Sequence, residues 1–159
     1  MIPVVSNITE NNEKLYFTLS DVNVSVANSM RRIMLSEIPC VVFRTAPYEE
    51  NRVDIEVNTS RLNNELIKQR ISCIPIHITD VNFPIHDHMV EVDLANETEE
   101  VIYLTTEHFK IKNKSSNTYI DPKQTREIFP PDTITGDFID IARLRPKISE
   151  NIKGEHIKM

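Results

Sequence analysis

The residues of this chain best suited to metal chemistry are His86, Asp87 and His88. In an extended segment, side chains two residues apart project to the same face, so the two imidazoles would form half of a metal site. His77 or His108 would supply a third ligand. The opposing interpretation is a pair of solvated histidines in a loop, and the small number of ligands favours it. A metal-dependent enzyme built on His86 and His88 stays open as an alternative function.

Two cysteines, Cys40 and Cys73, are the other candidates for ligand or redox chemistry. They are too few for a disulfide framework or for a four-ligand zinc site. Both lie in apolar stretches of sequence, which favours buried side chains over reactive thiols. We therefore predict a reducing, intracellular setting.

Glycine occurs only twice, at Gly136 and Gly154. This scarcity excludes the glycine-rich phosphate loop, the dinucleotide-binding fingerprint and the G-x-S-x-G nucleophile elbow. We predict no catalytic residue and no cofactor. Tight turns that need a positive φ must instead use asparagine or aspartate.

Charge and hydropathy restrict the partners of the chain. Lys and Arg number 18 against 24 Asp and Glu, so the formal charge at pH 7 is −6, the wrong sign for non-specific binding to nucleic acid. No apolar stretch approaches the roughly 20 residues of a membrane span, and the N-terminus has no signal-peptide pattern. We expect no direct contact with nucleic acid and none with a membrane.

A row of lysines, Lys110, Lys112 and Lys114, alternates along a predicted strand. Alternation places the three ammonium groups on one face, where they could meet an acidic partner. The other interpretation is a solvated strand edge protected against aggregation. It is favoured because no aromatic side chain lies among the lysines.

The clearest predicted element is a helix that follows a strand over residues 14–19. Asn23 or Ser25 can cap its start, and Pro39 ends it. Its apolar residues recur at steps of three and four, which gathers them on one face. They are Val22, Val26, Met30, Ile33, Met34 and Ile38.

The next part of the chain predicts two strands and a second helix. Residues 40–44 and 52–57 have strand character, and the strict alternation of the second run indicates one solvated and one buried face. The two runs are predicted to form an antiparallel pair. Ser60 is the predicted N-cap of a short amphipathic helix that stops at Pro75. Beyond residue 77, prolines separate short alternating runs, which predicts strands and loops.

The doublet Arg31-Arg32 lies within the first helix. Adjacent helical positions are turned about 100° apart, so at least one guanidinium must lie beside the apolar face. Arginine suits a partly buried interface, where it pairs with carboxylates or carbonyls of a partner. Two arginines that extend into water are the alternative, and the pattern alone does not decide.

Two ordered motifs resemble the alpha-like subunits of DNA-directed RNA polymerase, as found in the third-largest subunit of eukaryotic RNA polymerase II and the archaeal D subunit. The resemblance is dense over about residues 14–77 and weaker afterwards. The first motif is Ala27-Asn28-Ser29-Met30-Arg31-Arg32-Ile33 followed by Glu37-Ile38-Pro39; the second is Asn58-Thr59-Ser60 followed by Leu62, Glu65, Ile67, Arg70-Ile71 and Ile74-Pro75-Ile76.

The resemblance implies an α+β fold in which a mostly β domain is inserted into an incomplete dimerisation domain. Residues 1–77 would begin the dimerisation domain, 78–142 would form the inserted domain, and 143–159 would return to the first. It also implies a non-catalytic assembly subunit. Such a subunit pairs with a smaller alpha-like subunit, and the pair supports the large catalytic subunits in transcription.

The resemblance also assigns partner-binding residues. Arg31 and Arg32 would contact a large subunit, whereas Glu65 and Arg70 would orient the second helix. Four apolar residues of the first motif would pack in the core or the dimer interface: Met30, Ile33, Met34 and Leu35. Two polar residues of the same motif, Asn28 and Glu37, are also assigned to partner binding.

Three departures from the family pattern shape the expectations. Residues 78–100 lack the cysteine cluster of some relatives, so we predict no metal. Asn64 replaces a usual acidic residue, which should weaken one polar contact. The chain stops at Met159, before the strands and helix that complete the dimerisation domain. We therefore expect a fragment or a split subunit whose core a partner must complete.

An independent protein-binding regulator with an alpha-like fold is the main alternative function. The composition, rich in asparagine and isoleucine and poor in glycine, would suit a polymerase of a large DNA virus. The expected location is the nucleus for a cellular eukaryotic protein, and the virion or a cytoplasmic viral factory for a viral one.

Overall fold

The computed structural model describes residues 2–11, 14–78, 80 and 82–159. These residues form two compact units, one ending at Cys40 and the other beginning at Val41. The predicted boundaries at 77/78 and 142/143 concern domains of the family, and they stay a prediction. Helices and short antiparallel strands are mixed along the chain.

The first unit opens with a β-hairpin of β1 (Val4–Asn11) and β2 (Lys14–Ser20). The predicted strand over 14–19 is confirmed, whereas β1 was not predicted. The pairing shifts register between Ser6 and Thr9, and Asn7 lies there with a φ of 53°. Asp21 and Asn117 also have positive φ, which confirms that asparagine and aspartate take turn positions in this glycine-poor chain.

The helix α1 (Val24–Ser36) confirms the first predicted helix. Asn23 is its N-cap, since its side-chain oxygen accepts a hydrogen bond of 2.8 Å from the backbone N–H of Ser25. At the other end, the N–H of Glu37 donates to the carbonyl of Ile33. Within the described ranges, no helix combines the length and the hydrophobicity that crossing a bilayer requires.

The predicted strand pair over 40–44 and 52–57 is wrong. One backbone bond links the two runs, from the N–H of Arg52 to the carbonyl of Arg44. The alternation reflects burial, because Val53 and Ile55 pack against the core. The backbone forms a strand only at β3 (Val57–Asn58), which pairs with β9 (His156–Lys158) near the end of the sequence.

The helix α2 (Asn64–Ser72) confirms the second predicted helix, but its N-cap is Asn63 and not Ser60. The side chain of Asn63 accepts a bond of 2.8 Å from the N–H of Leu66. The Ser60 hydroxyl donates to Asn58 at 2.7 Å, so it serves the turn before the helix. Ile67 and Ile71 are the buried residues of α2, which confirms that this helix is amphipathic.

The rest of the second unit consists of short antiparallel strands and one further helix. The helix α3 (Pro122–Ile128) was missed, although Asp121 at its N-cap and Pro122 at its first position are ordinary signals of a helix start. β5 pairs with β9, β4 with β7, and β6 with β8. The strands are β4 (His88–Glu91), β5 (Asp93–Ala95), β6 (Ile102–Thr105), β7 (Lys110–Asn113) and β8 (Asp140–Leu144).

The buried core among the described residues lies entirely in the second unit. Phe43, Phe109 and Phe129 contact one another there, with ring centroids 4.9–6.0 Å apart. The core residues are Ile67, Ile71, Ile74, Val92, Leu104, Phe109, Ile111, Phe129, Ile141, Ala142, Leu144 and Ile157.

The prediction that the cysteines are buried is wrong. Cys40 and Cys73 are both exposed thiols. Cys73 caps the C-terminus of α2, about 200° around the helix axis from the buried Ile71. Cys40 ends the first unit, in which no described residue is buried.

Candidate interaction surfaces

One face of α1 is apolar and exposed. At about 100° per residue, Val26, Met30, Ile33 and Met34 fall within roughly a third of the helix circumference. Their exposed fractions are 48%, 42%, 54% and 50%, and α1 contains no buried residue. A contiguous apolar face of this kind marks a site for contact with another surface. We call these four residues the α1 face.

The hairpin beside α1 in sequence is equally uncovered. Leu15, Tyr16 and Phe17 in β2 are 60%, 55% and 41% exposed, and Ile8 in β1 is 64% exposed. None of the described residues up to Cys40 is buried. A two-stranded hairpin is marginal in water without a packed face. The first unit therefore lacks a core of its own in the described part of the chain.

The arginine doublet lies beside and behind the α1 face. Arg31 is turned about 100° from Met30, and Arg32 about 200°. Both arginines are exposed. The guanidinium of Arg31 donates a bond of 2.9 Å to the side-chain oxygen of Asn28, one turn earlier on the helix. Arg31 is thus the arginine that borders the apolar face, and Arg32 points towards a different side of α1.

Leu35 and Glu37 occupy different parts of the helix end. Leu35 is 77% exposed and lies about 140° around the axis from Met30, away from the α1 face. Glu37 is the C-cap residue of α1 and is exposed. If Leu35 and Met30 both contact partners, the partners must approach α1 from two sides.

The second motif is used inside the second unit. Arg70 on α2 donates a bond of 2.8 Å to the carbonyl oxygen of Ile141 in β8, which ties the helix to the strand. Glu65 is exposed in the first turn of α2, where its charge complements the helix dipole. The amide oxygen of Asn64 accepts a bond of 2.7 Å from Asn58, so Asn64 supplies an acceptor at the position that is usually acidic.

His86, Asp87 and His88 do not form an extended segment with both imidazoles on one face. Ile85–Asp87 is a single 3₁₀ turn, so His86 and His88 do not alternate along one strand. The His88 ring lies 2.9 Å from the carbonyl of Pro84 and packs on Phe83, with centroids 4.8 Å apart. In the ranges that the structure describes, no group of three or more potential metal-ligating side chains converges.

Two of the three alternating lysines have intramolecular partners. Lys112 on β7 lies 3.1 Å from a carboxylate oxygen of Glu91, and Lys114 donates a bond of 2.9 Å to the carbonyl of His86. The other oxygen of Glu91 accepts a bond of 2.7 Å from the Tyr119 hydroxyl. The hydrogen bond from Tyr119 and, to a smaller extent, the one from Lys112 lower the pKa of Glu91. These contacts agree with a strand edge rather than with a free basic row.

The chain matches the family model described as the RNA polymerase Rpb3/Rpb11 dimerisation domain over residues 16–134. Among curated proteins, it is 45% identical over 60 residues to the DNA-directed RNA polymerases IV and V subunit 3B of Arabidopsis thaliana. It is 34% identical over 80 residues to the DNA-directed RNA polymerase II subunit RPB3 of Schizosaccharomyces pombe. These alignments cover 38% and 50% of the chain, and 17% and 24% of the relatives.

A longer match extends over almost the whole sequence. The chain is 27% identical over 175 aligned positions to the DNA-directed RNA polymerases I and III subunit rpac1 of Dictyostelium discoideum, covering 97% of the chain and 48% of that protein. The chain thus spans about half the length of this relative. The family match confirms the predicted resemblance and the α+β fold class, and the chain belongs to the family of the RNA polymerase Rpb3/Rpb11 dimerisation domain.

Proposed function

We propose that this chain is a non-catalytic assembly subunit of a multisubunit DNA-directed RNA polymerase. The observation that carries the proposal is the first unit, in which apolar side chains line α1 and the hairpin and no described residue is buried. Relatives named as RNA polymerase subunits support it. In a nucleated cell, this role would place the protein in the nucleus.

The proposed partner of the first unit is a smaller alpha-like subunit. The α1 face would pack on an apolar face of that subunit and complete a shared core. Each of its four residues has about half of its surface still to bury, which would contribute about 1 kcal/mol per side chain. Exposed hairpin residues such as Phe17 and Leu15 would add to this contact.

Pairing is tested by expressing the chain alone and together with the smaller alpha-like subunit of the same organism. Size-exclusion chromatography with light scattering should give a one-to-one complex from co-expression and concentration-dependent self-association of the chain alone. If the chain alone is a monodisperse monomer and does not bind the smaller subunit, the result would instead support an independent regulator.

The proposed contact with a large catalytic subunit uses Arg31 and Arg32. Both guanidinium groups are exposed and lie outside the α1 face, so they stay accessible after the apolar face is covered. Arginine is suited to such a contact because its planar group forms paired hydrogen bonds with carboxylates.

Replacing both residues, Arg31→Ala with Arg32→Ala, should weaken docking to the large subunits while the pair with the smaller subunit survives. Interface arginines commonly cost about 2 kcal/mol or more when truncated, which is roughly a 30-fold loss of affinity. Recovery of the large subunits by affinity-tagged heterodimer measures the effect. As a charge-matched control, Lys123→Ala with Lys153→Ala alters two exposed cations of the second unit. If the unaltered chain, the arginine variant and the lysine control all recover the large subunits equally, this contact is contradicted.

A further inference from the structure

An open groove of about 1060 Å³ lies in the second unit, beside α2 and the β6–β8 pair. Four of the nine arginines of the chain line it, and its described lining contains no lysine. The remaining lining is largely apolar. The arginines are Arg61, Arg70, Arg143 and Arg145, and the other lining residues used below are Val101, Tyr103, Ile139 and Asp140.

Two of the groove arginines, Arg70 and Arg145, are held in place by polar contacts within the unit. Arg70 donates one bond to the carbonyl of Ile141. The Nε of Arg145 is paired with the carboxylate of Glu155, although the Arg145 side chain is still 57% exposed. A guanidinium has five N–H donors, so each retains donors beyond these contacts. Their positions are therefore fixed before any ligand arrives, which reduces the entropic cost of binding.

Arg143 is positioned in a different way. Its guanidinium carbon lies 5.2 Å from the centroid of the Tyr103 ring, a distance at which the cation is attracted to the ring face. This contact uses no N–H donor. Among the residues that the structure describes, the ring of Tyr103 is thus a partner that leaves the N–H groups of Arg143 available to an external acceptor.

The charge of the groove opposes that of the whole chain. Asp140 is the single carboxylate among its described lining residues, whereas the chain carries a formal charge of −6. A concave site lined by one sign of charge concentrates its field and attracts ligands of the opposite sign. With four guanidinium groups against one carboxylate, the lining of the groove favours an anionic ligand.

The apolar lining and the spacing of the arginines define the anion further. Val101, Tyr103 and Ile139 are 42–49% exposed and offer apolar contact. Arg143 and Arg145 are two residues apart on either side of the buried Leu144, so they lie on one face about 7 Å apart. An extended peptide with carboxylates at alternate positions has the same spacing.

We infer that this groove binds an extended acidic segment of another polypeptide, in which aspartate or glutamate alternates with apolar residues. Nucleic acid is the less suitable polyanion, because a phosphate backbone offers nothing to the apolar lining and the chain as a whole repels it. The groove lies wholly within the second unit, so the inference does not depend on pairing through the α1 face.

The test uses the full chain and a short fluorescent peptide that alternates glutamate with valine or leucine. Fluorescence anisotropy should detect binding that weakens as salt is added. A matched peptide with glutamine in place of glutamate should bind at least about tenfold more weakly, because it lacks the charges that pair with arginine.

The protein variant for this test is Arg61→Gln with Arg143→Gln, which removes two groove charges and leaves the bonds of Arg70 and Arg145 intact. It should reduce affinity for the glutamate peptide about tenfold. The control Lys123→Gln with Lys153→Gln makes the same charge change outside the groove lining and should have little effect. If loss of the Tyr103 contact unfolds the double variant, Arg61→Gln alone should still weaken binding about threefold.

Three results would overturn the inference. The glutamate peptide could fail to bind the unaltered chain, it could bind no better than the glutamine peptide, or the groove variant could bind like the lysine control. Single-stranded DNA serves as a competing probe. If it binds more tightly than the peptide and depends on the same arginines, the groove is a nucleic-acid site and the peptide assignment is wrong.

Discussion

Met34→Asp should abolish pairing of this chain with a smaller alpha-like subunit. Met34 lies on the α1 face and is 50% exposed, so pairing through that face would bury it. An unpaired carboxylate taken out of water costs several kcal/mol, on the order of 3–5. The affinity should fall more than a hundredfold. Co-purification of the smaller subunit with the tagged chain measures the loss.

Two matched variants make this result specific to the buried face. Val24→Asp introduces the same charge in the same helix, but Val24 is 83% exposed and lies outside the α1 face. Its place in the first turn of α1 also favours an acidic side chain. Met34→Leu keeps the apolar surface. Both should retain the smaller subunit, and if Met34→Asp retains it as well, the α1 face is not the pairing surface.

Elements whose signals are local could be predicted from the sequence. The α1 helix has its cap, its apolar stripe and its terminating Pro39 within 17 consecutive residues, from Asn23 to Pro39. The missed helix α3 also carried local signals, at Asp121 and Pro122. The prolines spread over the second half of the chain led to a prediction of strands and loops there, although the N-cap of α3 was present in the sequence.

Strand pairing could not be predicted in the same way. Alternation at Val53 and Ile55 reports which side chains face a core, but it does not say which strand supplies the hydrogen bonds. The partner of β3 is β9, about a hundred residues later, with Val57 opposite Lys158. The nearer run at 40–44 was the natural choice from sequence, and it contributes a single backbone bond.

The candidate sites differ in the same respect: the residues of one are close together in the sequence, and those of the other are far apart. Arg31, Arg32 and the α1 face lie within one short stretch of sequence, so a sequence motif is enough to identify them. The arginine groove joins Arg61 and Arg70 to Arg143 and Arg145, and the bond from Arg70 to Ile141 spans 71 positions. Nothing in the sequence brings these segments together. Only the packing of α2 against β8 does so.

Gly154→Ala should destabilise the second unit strongly. A Cβ added at Gly154 would lie 1.9 Å from the backbone oxygen of Asn96 and 3.1 Å from that of Arg145. Backbone atoms cannot move aside as a side-chain end can, so the collision must break neighbouring hydrogen bonds. Overpacking of this severity costs about 3 kcal/mol or more. Chemical unfolding of the full chain, followed by circular dichroism, measures the free energy lost.

The bonds at risk explain why the effect should reach the arginine groove. The N–H of Asn96 donates to the carbonyl of Glu155, and the N–H of Glu155 donates to the carbonyl of Arg145. Glu155 in turn holds the guanidinium of Arg145. Gly136→Ala is the control, because Gly136 has open space around it and a φ of 76°, so it should lose only the roughly 1–2 kcal/mol of left-handed backbone strain. Equal losses at the two glycines would mean that the backbone around Gly154 adjusts to the added Cβ, and that the contact with Asn96 does not set the requirement for glycine at 154.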